Sequence, residues 1–279
     1  MKEFSGKVVV VTGAASGIGR EIALAFARRG ARLVICDING DGLRAVGEEL
    51  EVMGTEFMAE VVDVSQAWQV EEFCDATYKR MGRVDVLCNN AGIGLGGAFE
   101  DLTLDDLKAV VGVNLWGVIH GCHYFYPRMI DQGGGGHIVN TASGAALSPL
   151  PLLTAYTCTK CGVLGFSEDL RGEAALHGIG VITICPGVIA TSIMKTATVR
   201  AGEGRWTPEE SRGKLEWIME KRGLPPSRVA EKAVRGVERN TGVVRVGPET
   251  YLIDVMHRIS RSFTNFMLRS FIKFIDRFF

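Results

Sequence analysis

A regular alternation of short apolar runs with longer helical patterns constrains the fold of this chain more than any other feature. Val8 to Val11 form a continuous β-branched run, which is typical of a strand buried on both faces of a sheet. A glycine-rich turn, a segment with helical periodicity and a second apolar run at 32–37 follow it. This unit predicts two parallel strands joined by a crossover helix.

The same alternation continues along most of the chain. Five more strands are predicted at 56–62, 84–88, 137–141, 180–185 and 243–246. The helices between them are predicted at 41–53, 67–81, 104–132, 154–177 and 227–240. Seven strands separated by helices predict an α/β fold, a Rossmann-like doubly wound seven-stranded parallel sheet with helices on both faces. Without a composition break, we expect one catalytic domain over 1–250, with a lid around 188–226, and an extension over 251–279.

Composition and charge exclude several classes of function. Lys and Arg number 31 against 32 Asp and Glu, for a net charge of −1, so no basic field favours a nucleic-acid partner. No apolar run reaches the roughly 18 residues of a membrane span. Seven cysteines without a secretion signal read as reduced thiols and predict a cytoplasmic protein.

The glycine-rich turn after the first strand has the pattern of a dinucleotide site. Gly13 can form the tight turn, while Gly17 and Gly19 let backbone amides approach a pyrophosphate at a helix N-terminus. Asp37 ends the second strand, where its carboxylate can accept hydrogen bonds from an adenosine ribose. Neither Ser16 nor Ile38 offers a cation for a 2′-phosphate, so NAD is favoured over NADP.

Two further strand ends carry candidate contacts whose roles stay open. Asp63 and Val64 follow the third strand, where Asp63 is either an adenine contact or a helix cap. Asn89-Asn90-Ala91-Gly92 ends the fourth strand, and its amides either tie adjacent loops or touch the cofactor.

Tyr156 and Lys160 are four residues apart on a predicted helix and therefore share a face. A phenol has a pKa near 10, and an adjacent ammonium favours the phenolate, which is how a tyrosine becomes a general acid and base. Ser143 lies just beyond the fifth strand and could donate a hydrogen bond to a substrate oxygen.

Together these motifs resemble the short-chain dehydrogenase/reductase family, in its single-domain, NAD-preferring branch. The resemblance covers about residues 5–247. It rests on the following motifs, in this order and spacing: Thr12-Gly13-x-x-x-Gly17-x-Gly19, Asn89-Asn90-Ala91-Gly92, Asn114, Ser143, Tyr156-x-x-x-Lys160 and Pro186-Gly187.

The resemblance implies a role for each matching residue. Tyr156 would be the acid/base, Lys160 would bind the nicotinamide ribose and lower the tyrosine pKa, and Ser143 would polarise the substrate oxygen. Asn114 would support a water in the proton relay. Pro186-Gly187 and Thr191 would hold the nicotinamide ring. Catalysis would need no metal. The predicted cofactor contacts are Gly13, Ser16, Gly17, Ile18, Gly19, Asp37, Ile38, Asp63, Val64, Asn90, Ala91, Gly92, Tyr156, Lys160, Pro186, Gly187, Val188 and Thr191.

The implied reaction is reversible hydride transfer between NAD(H) and a secondary alcohol or ketone. Ser143, Ala145, Tyr156 and Met194 are predicted to contact the substrate. The mostly apolar wall over 144–153, together with Ile193, Met194, Trp206 and Trp217 in the lid, favours a lipophilic substrate such as a steroid, retinoid or long-chain alcohol. The alternatives are an NADP-dependent carbonyl reductase and a non-catalytic NAD(H)-binding or membrane-associated protein of the same fold.

Three features lie outside this family pattern. Cys158 and Cys161 form a Cys-x-x-Cys that permits a redox interpretation, and His120, Cys122 and His123 permit a metal site; packing roles are favoured for both groups. The segment 251–279 is an apolar, basic, amphipathic helix. It is expected to pack against its own or a neighbouring subunit, to lie on a membrane surface, or to cap the substrate cleft. The family resemblance implies a homodimer or homotetramer.

Overall fold

A computed structural model describes residues 1–148, 150–191, 193–200 and 207–278. Within these ranges, some side chains of the helices between 194 and 218, and all of those over 271–278, lie outside the description. The described residues form nine strands, in this order: β1 Val8–Thr12, β2 Arg32–Asp37, β3 Phe57–Val61, β4 Val86–Asn89, β5 Leu95–Gly96, β6 Gly136–Thr141, β7 Ile179–Pro186, β8 Thr198–Val199 and β9 Val243–Val246.

Seven of the strands make one parallel sheet, which confirms the predicted Rossmann-like fold. The strand order is β3-β2-β1-β4-β6-β7-β9. The chain builds outward from β1 in one direction as far as β3 and then returns to place β4 on the other side of β1. A crevice therefore opens between β1 and β4 at the carboxyl ends of the strands, where doubly wound folds bind their ligands.

The helices cover both faces of this sheet. Val9 and Val11 pack into one hydrophobic cluster with α1 and α9, while Val8 and Val10 pack into a second cluster with α3, α5 and α6. A strand buried on both faces requires the continuous apolar run seen in the sequence. The helices are α1 Gly17–Ala27, α2 Gly40–Val52, α3 Ala67–Met81, α4 Leu104–Val111, α5 Gly117–Asp131, α6 Thr154–Ala174, α7 Ile193–Thr196, α8 Pro208–Arg222, α9 Pro226–Arg239, α10 Pro248–Ile259 and α11 Arg261–Phe278.

The long helix predicted at 104–132 is interrupted by a π-helical turn, Gly112–Trp116, between α4 and α5. The backbone stays helical through both junctions, so the interruption is one widened turn. Such turns occur frequently at functional sites, and this one carries Asn114.

The lid and the extension also contain more structure than the sequence pattern predicts. Within the lid, β8 pairs with β5 in a two-stranded parallel sheet, and α7 and α8 flank β8. The extension forms two helices, because Ser260 takes an extended backbone conformation between α10 and α11. None of the helices in the described ranges combines the length and the hydropathy that crossing a bilayer requires.

Candidate active site

A cleft of about 430 Å³ occupies the crevice between β1 and β4. It is lined by sixteen of the eighteen predicted cofactor contacts, all except Gly19 and Val188. Residues from seven strand ends and loops therefore converge on one site, as the parallel sheet requires.

Each of the three glycines of the first turn is favoured for a different structural reason. Gly13 has a φ of +65°, and a Cβ there would lie 2.6 Å from the Cα of Ala91. Gly17 has a φ of +54° and faces Thr191 across the cleft, at 3.5 Å from the position of a Cβ. Gly19 packs against the Gly13 carbonyl oxygen, which a Cβ would approach to 2.0 Å. Gly19 thus allows helix and strand to pack closely and does not line the cleft.

Asp37 is fixed at the adenosine end of the cleft by backbone hydrogen bonds. Its Oδ2 accepts from the Ala15 nitrogen and its Oδ1 from the Asn39 nitrogen, both at 2.9 Å. Among the described residues that line the cleft, Lys160 is the only cation, and it belongs to the catalytic end. The adenosine end is therefore acidic, with Asp37 and Asp63.

The strand ends beside Asp37 are held by short polar contacts. Asp63 Oδ1 accepts a hydrogen bond from the Ser65 nitrogen at 2.9 Å, while Gln66 takes the N-cap position of α3. Asp63 therefore forms a local turn and is not the helix cap. Asn90 Nδ2 donates to the carbonyl oxygens of Thr12 and Gly13, at 3.2 and 3.3 Å, so its amide ties β4 to the glycine turn.

Two further residues of the predicted motifs belong to this framework: Thr12, to which no role was assigned, and Asn89, whose role was left open. Thr12 Oγ1 accepts from the backbone nitrogens of Asn90 and Ala91, at 3.0 and 3.1 Å, and thereby joins the ends of β1 and β4. Asn89 points the other way, into the protein, where its Nδ2 donates to Asn140 Oδ1 at 2.9 Å. Asn89 is thus structural, and Thr12 contributes to the shape of the site.

Asn114 supports the wall of the cleft from the π-helical turn. It is fully buried, its Oδ1 accepts from the Ile93 nitrogen at 2.8 Å, and its Nδ2 donates to the Ile93 carbonyl oxygen at 3.0 Å. Both polar ends are therefore used by one backbone residue. Its implied role in a water relay stays a prediction.

Ser143 and Tyr156, which the sequence analysis predicts to be catalytic, both line the cleft and interact there. Ser143 follows β6, and its Oγ also accepts from the Ala145 nitrogen at 3.2 Å. Burial raises the pKa of the Tyr156 phenol above its ordinary value, and the Ser143 hydrogen bond acts in the opposite direction. The pair places two hydroxyl groups where one substrate oxygen can contact both.

Lys160 lies beneath Tyr156 with its ammonium buried. The side chain is 4% exposed, and Nζ donates to the Thr141 carbonyl oxygen at 2.9 Å. Nζ is 5.8 Å from the centroid of the Tyr156 ring. Burial lowers the pKa of Lys160 to about 8, because a buried ammonium loses hydration that one carbonyl oxygen does not replace. The expected lowering of the tyrosine pKa by Lys160 stays a prediction.

The end of the cleft beyond the catalytic residues is formed by the turn after β7. Pro186, Gly187 and Thr191 line it as predicted. The Val188 nitrogen instead donates to Glu249 Oε1 at 2.9 Å, and Val188 does not line the cleft. Glu249, at the start of α10, was not predicted, because no local motif links it to a turn about 60 residues earlier.

The substrate side of the cleft is apolar. Besides the catalytic residues, its described lining includes Ile93, Val113, Ile189, Ile193, Thr196 and Met219. Ala145 is buried behind Ser143, and its backbone supports that serine. Trp217 is 57% exposed on α8 and does not line the cleft, so Met219 takes the place predicted for it. Trp206 and the side chain of Met194 lie outside the described residues.

The side chains of the candidate histidine and cysteine groups lie in different environments. His120 Nδ1 lies 2.9 Å from the Val64 carbonyl oxygen, and Cys122 is buried beside Asn89 and Asn140. His123 packs against Tyr124. Cys158 and Cys161 are free thiols on the exposed side of α6.

Comparison with known proteins identifies the family. The family model for short chain dehydrogenases matches residues 7–201. The chain belongs to the short-chain dehydrogenase family. All described residues that line the cleft except Met219 lie within the matched segment.

Two relatives of this short-chain dehydrogenase carry informative names. A Mycobacterium tuberculosis protein named "Probable oxidoreductase EphD" is 40% identical over 257 residues, which cover 92% of this chain and 43% of that protein. The chain thus spans less than half the length of this relative. D-threitol dehydrogenase of Mycolicibacterium smegmatis is 39% identical over 188 residues, covering 67% of this chain and 72% of that protein.

A solved structure supports the same assignment. A short-chain dehydrogenase/reductase from Burkholderia phymatum, in complex with NAD, has 32% identity and a TM-score of 0.86 over 92% of this chain and 95% of its own. At this identity and coverage, the solved structure supports both the family assignment and the fold.

Proposed function

We propose that this chain is an NAD-dependent dehydrogenase or reductase of lipophilic secondary alcohols and ketones, working as a homodimer or homotetramer. The observation that carries the proposal is the cleft itself. It is acidic at the end proposed for adenosine and apolar at the end proposed for the substrate, and the half-buried Tyr156 lies above the buried Lys160 between them.

The residues of the cleft fit a dinucleotide. Gly17 lines the cleft with a φ of +54°, a conformation that favours glycine, and α1 begins there, so the amides of its first turn border the cleft. Asp37 is positioned for ribose hydroxyls, and Lys160 is positioned below the catalytic tyrosine. The nicotinamide, when bound, supplies or accepts the hydride.

Tyr156 and Ser143 handle the oxygen of the substrate. In the oxidation direction, the Tyr156 phenolate takes the hydroxyl proton, and in the reduction direction the phenol returns it. The Ser143 hydroxyl donates a hydrogen bond that holds the substrate oxygen against the phenol. The Lys160 ammonium stabilises negative charge on the phenolate through the low-dielectric interior.

The first experiment tests catalysis. Tyr156→Phe removes only the phenolic oxygen, so kcat/KM should fall by about 10²–10⁴-fold while the Kd for NADH stays within about twofold because the ring remains. Nicotinamide absorbance gives the first quantity and NADH fluorescence the second. Ser143→Ala should reduce kcat/KM as well. Equal turnover by wild type and Tyr156→Phe would contradict the role of Tyr156 as acid and base. NADH binding by wild type without turnover of any alcohol or ketone would favour a non-catalytic dinucleotide-binding protein.

The second experiment tests cofactor choice. Asp37→Asn removes the negative charge beside the predicted ribose site, so kcat/KM for NADP should rise by about tenfold or more relative to NAD, because repulsion of the 2′-phosphate is lost. Asp41→Asn is the matched control, since Asp41 is an exposed carboxylate outside the cleft. A wild-type preference for NADP would overturn the proposal of NAD.

The third experiment tests the substrate class. In a series of secondary alcohols of growing chain length, kcat/KM should rise by about fourfold per methylene, the value of about 0.8 kcal/mol for each CH₂ that leaves water. A short polyol provides the contrast, since a relative is named for threitol. Preference for the polyol over every member of the series would contradict a lipophilic substrate.

A further inference from the structure

We infer that α10 and α11 form a docking surface for an anionic lipid bilayer. The apolar part of this tail surface consists of Leu252, Val255 and Ile259 on α10 and Phe263, Phe266 and Met267 on α11. Its basic part consists of Arg261 and Arg269.

The apolar part of the tail surface is open to solvent. Ile259 is 80% and Phe266 66% exposed, and the other four side chains are between 48% and 62% exposed. Spacings of three and four residues place the members of each helix on one side of that helix. Within the described chain, α11 packs against α10 and makes no more than marginal contact with any other element. Large apolar side chains gathered in this way mark an interaction site.

The charges of the tail surface favour anionic lipid over another protein. Positions 255–275 contain no Asp or Glu but include Arg258, Arg261, Arg269 and Lys273. Arg258 is paired with Asp254, whereas Arg261 and Arg269 have no ion-pair partner among the described residues. A two-fold contact with a second copy would bring these arginines together without an acidic partner. A helix with Phe and Met on one side and arginines beside them matches the pattern of helices that lie in the headgroup region.

The tail surface is joined to the active site through α10. Thr250 is fully buried, and its methyl group lies 3.2 Å from the position of a Cβ on Gly144, next to Ser143. Glu249 accepts from the Val188 nitrogen, and Asp254 is paired with Arg245 on β9. A bilayer that binds the tail surface therefore lies against the element that borders the catalytic end of the cleft. Entry of a lipophilic alcohol from that bilayer rests on the proposed function, whereas the docking itself does not.

Vesicle co-sedimentation of the full chain tests the docking. The protein should partition onto phosphatidylcholine vesicles that contain phosphatidylserine, and at least about 30-fold less onto phosphatidylcholine alone. Raising the salt from about 0.1 to 0.5 M should weaken the binding, since the Debye length falls below about 5 Å. Equal partitioning onto both kinds of vesicle would overturn the inferred selectivity for anionic lipid.

Two pairs of variants separate the apolar and the charged contributions. Phe263→Ser with Phe266→Ser should reduce partitioning by about tenfold or more, and Arg261→Gln with Arg269→Gln by about 30-fold. The matched controls are Val52→Ser with Leu176→Ser and Arg44→Gln with Arg239→Gln, which remove exposed residues elsewhere and should leave partitioning unchanged.

Turnover of a short water-soluble secondary alcohol reports whether each variant is folded, and it should stay within about twofold of wild type because none of these residues lines the cleft. Size-exclusion chromatography with light scattering provides the opposing outcome. No vesicle binding, together with an oligomer that Phe263→Ser with Phe266→Ser dissociates, would overturn the proposal in favour of a second copy. Vesicle binding without any turnover would contradict the proposed function and leave the docking intact.

Discussion

At the scale of one residue, the burial of Lys160 has opposite effects on the stability of the fold and on the reactivity of the site. Its ammonium is buried and donates one hydrogen bond among the described residues, to the Thr141 carbonyl oxygen. The same burial that lowers its pKa to about 8 also strengthens its effect on a neighbouring phenolate, because the interior screens charge weakly. The position is therefore expected to be unfavourable for folding and favourable for catalysis.

Lys160→Met tests this trade. At pH 7 the variant should lose kcat/KM by about 10²-fold or more and gain about 1–3 kcal/mol in the free energy of unfolding, because a desolvated ammonium is replaced by an apolar chain of similar length. The ordinary pKa of 10.5 exceeds the folded value of about 8, so the unfolded chain holds the proton more tightly. Wild type should therefore approach the variant in stability as the pH rises from about 8 to 10.5.

Denaturant unfolding of both proteins at pH 7 and at a pH above 9 gives the measurement. A variant less stable than wild type at pH 7 would contradict this account and assign Lys160 a net stabilising contact.

Residues whose role depends on local spacing could be predicted from the sequence, whereas residues whose role depends on distant packing could not. Asp37 and Tyr156 line the cleft because strand ends and helix faces follow directly from periodicity. Glu249 reaches Val188 only because α10 returns to the turn after β7. Trp217 and Met219 are two residues apart on α8, and the sequence does not decide which of them turns inward.

At the scale of elements, the pairing of β5 with β8 fastens the lid to the wall of the cleft. Thr198 N donates to the Gly94 carbonyl oxygen at 3.1 Å, and Arg200 N donates to the Gly96 carbonyl oxygen at 2.9 Å. Arg200 also pairs through two hydrogen bonds with Asp106 on α4, both at 2.9 Å, which holds the pKa of that carboxyl well below its usual range. The lid is thus attached at its backbone and by one ion pair.

Arg200→Gln should loosen this attachment. We expect KM for the alcohol to rise about three- to tenfold, because the lid residues that border the substrate are held less firmly, while the Kd for NADH and the unfolding midpoint change little, since exposed ion pairs contribute at most about 1 kcal/mol. Lys108→Gln breaks another exposed pair of the same helix, with Asp105, and serves as the control. An unchanged KM in Arg200→Gln would show that the Arg200–Asp106 ion pair does not contribute to substrate binding.

Element boundaries could be predicted where burial repeats along the chain. β2 and β9 agree with the predicted strands to the residue, because both ends are set by polar or glycine-containing turns. The π-helical turn and the break at Ser260 depend on where Asn114 and α10 find their partners. Helical periodicity continues across both positions, so it carries no signal of either.

At the scale of the whole molecule, the two tail helices differ in how extensively they contact the rest of the protein. α10 contributes the buried Thr250, the Glu249 contact and the Asp254–Arg245 pair, whereas α11 packs mainly against α10. Ending the chain after Ser260 should change the unfolding midpoint by less than about 3 °C. Ending it after Gly247 should lower the midpoint by about 5 °C or more, because Arg245 and the Val188 nitrogen lose their partners.

Thermal unfolding and turnover of a water-soluble alcohol measure both truncations. Similar losses from the two would show that α11 accounts for the stabilisation and that α10 alone adds little.

The hydrogen bond between Glu249 and the Val188 nitrogen links α10 to the turn beside the cleft. The same helix therefore borders the proposed cofactor site and the proposed bilayer-binding surface. Free energies of binding to one chain obey reciprocity, so any factor by which a vesicle changes the affinity for NADH is the factor by which NADH changes the affinity for the vesicle. With such a coupling, the cofactor-bound protein and the cofactor-free protein partition differently between the bilayer and water. The fraction of the enzyme at the surface then follows the occupancy of its cofactor site.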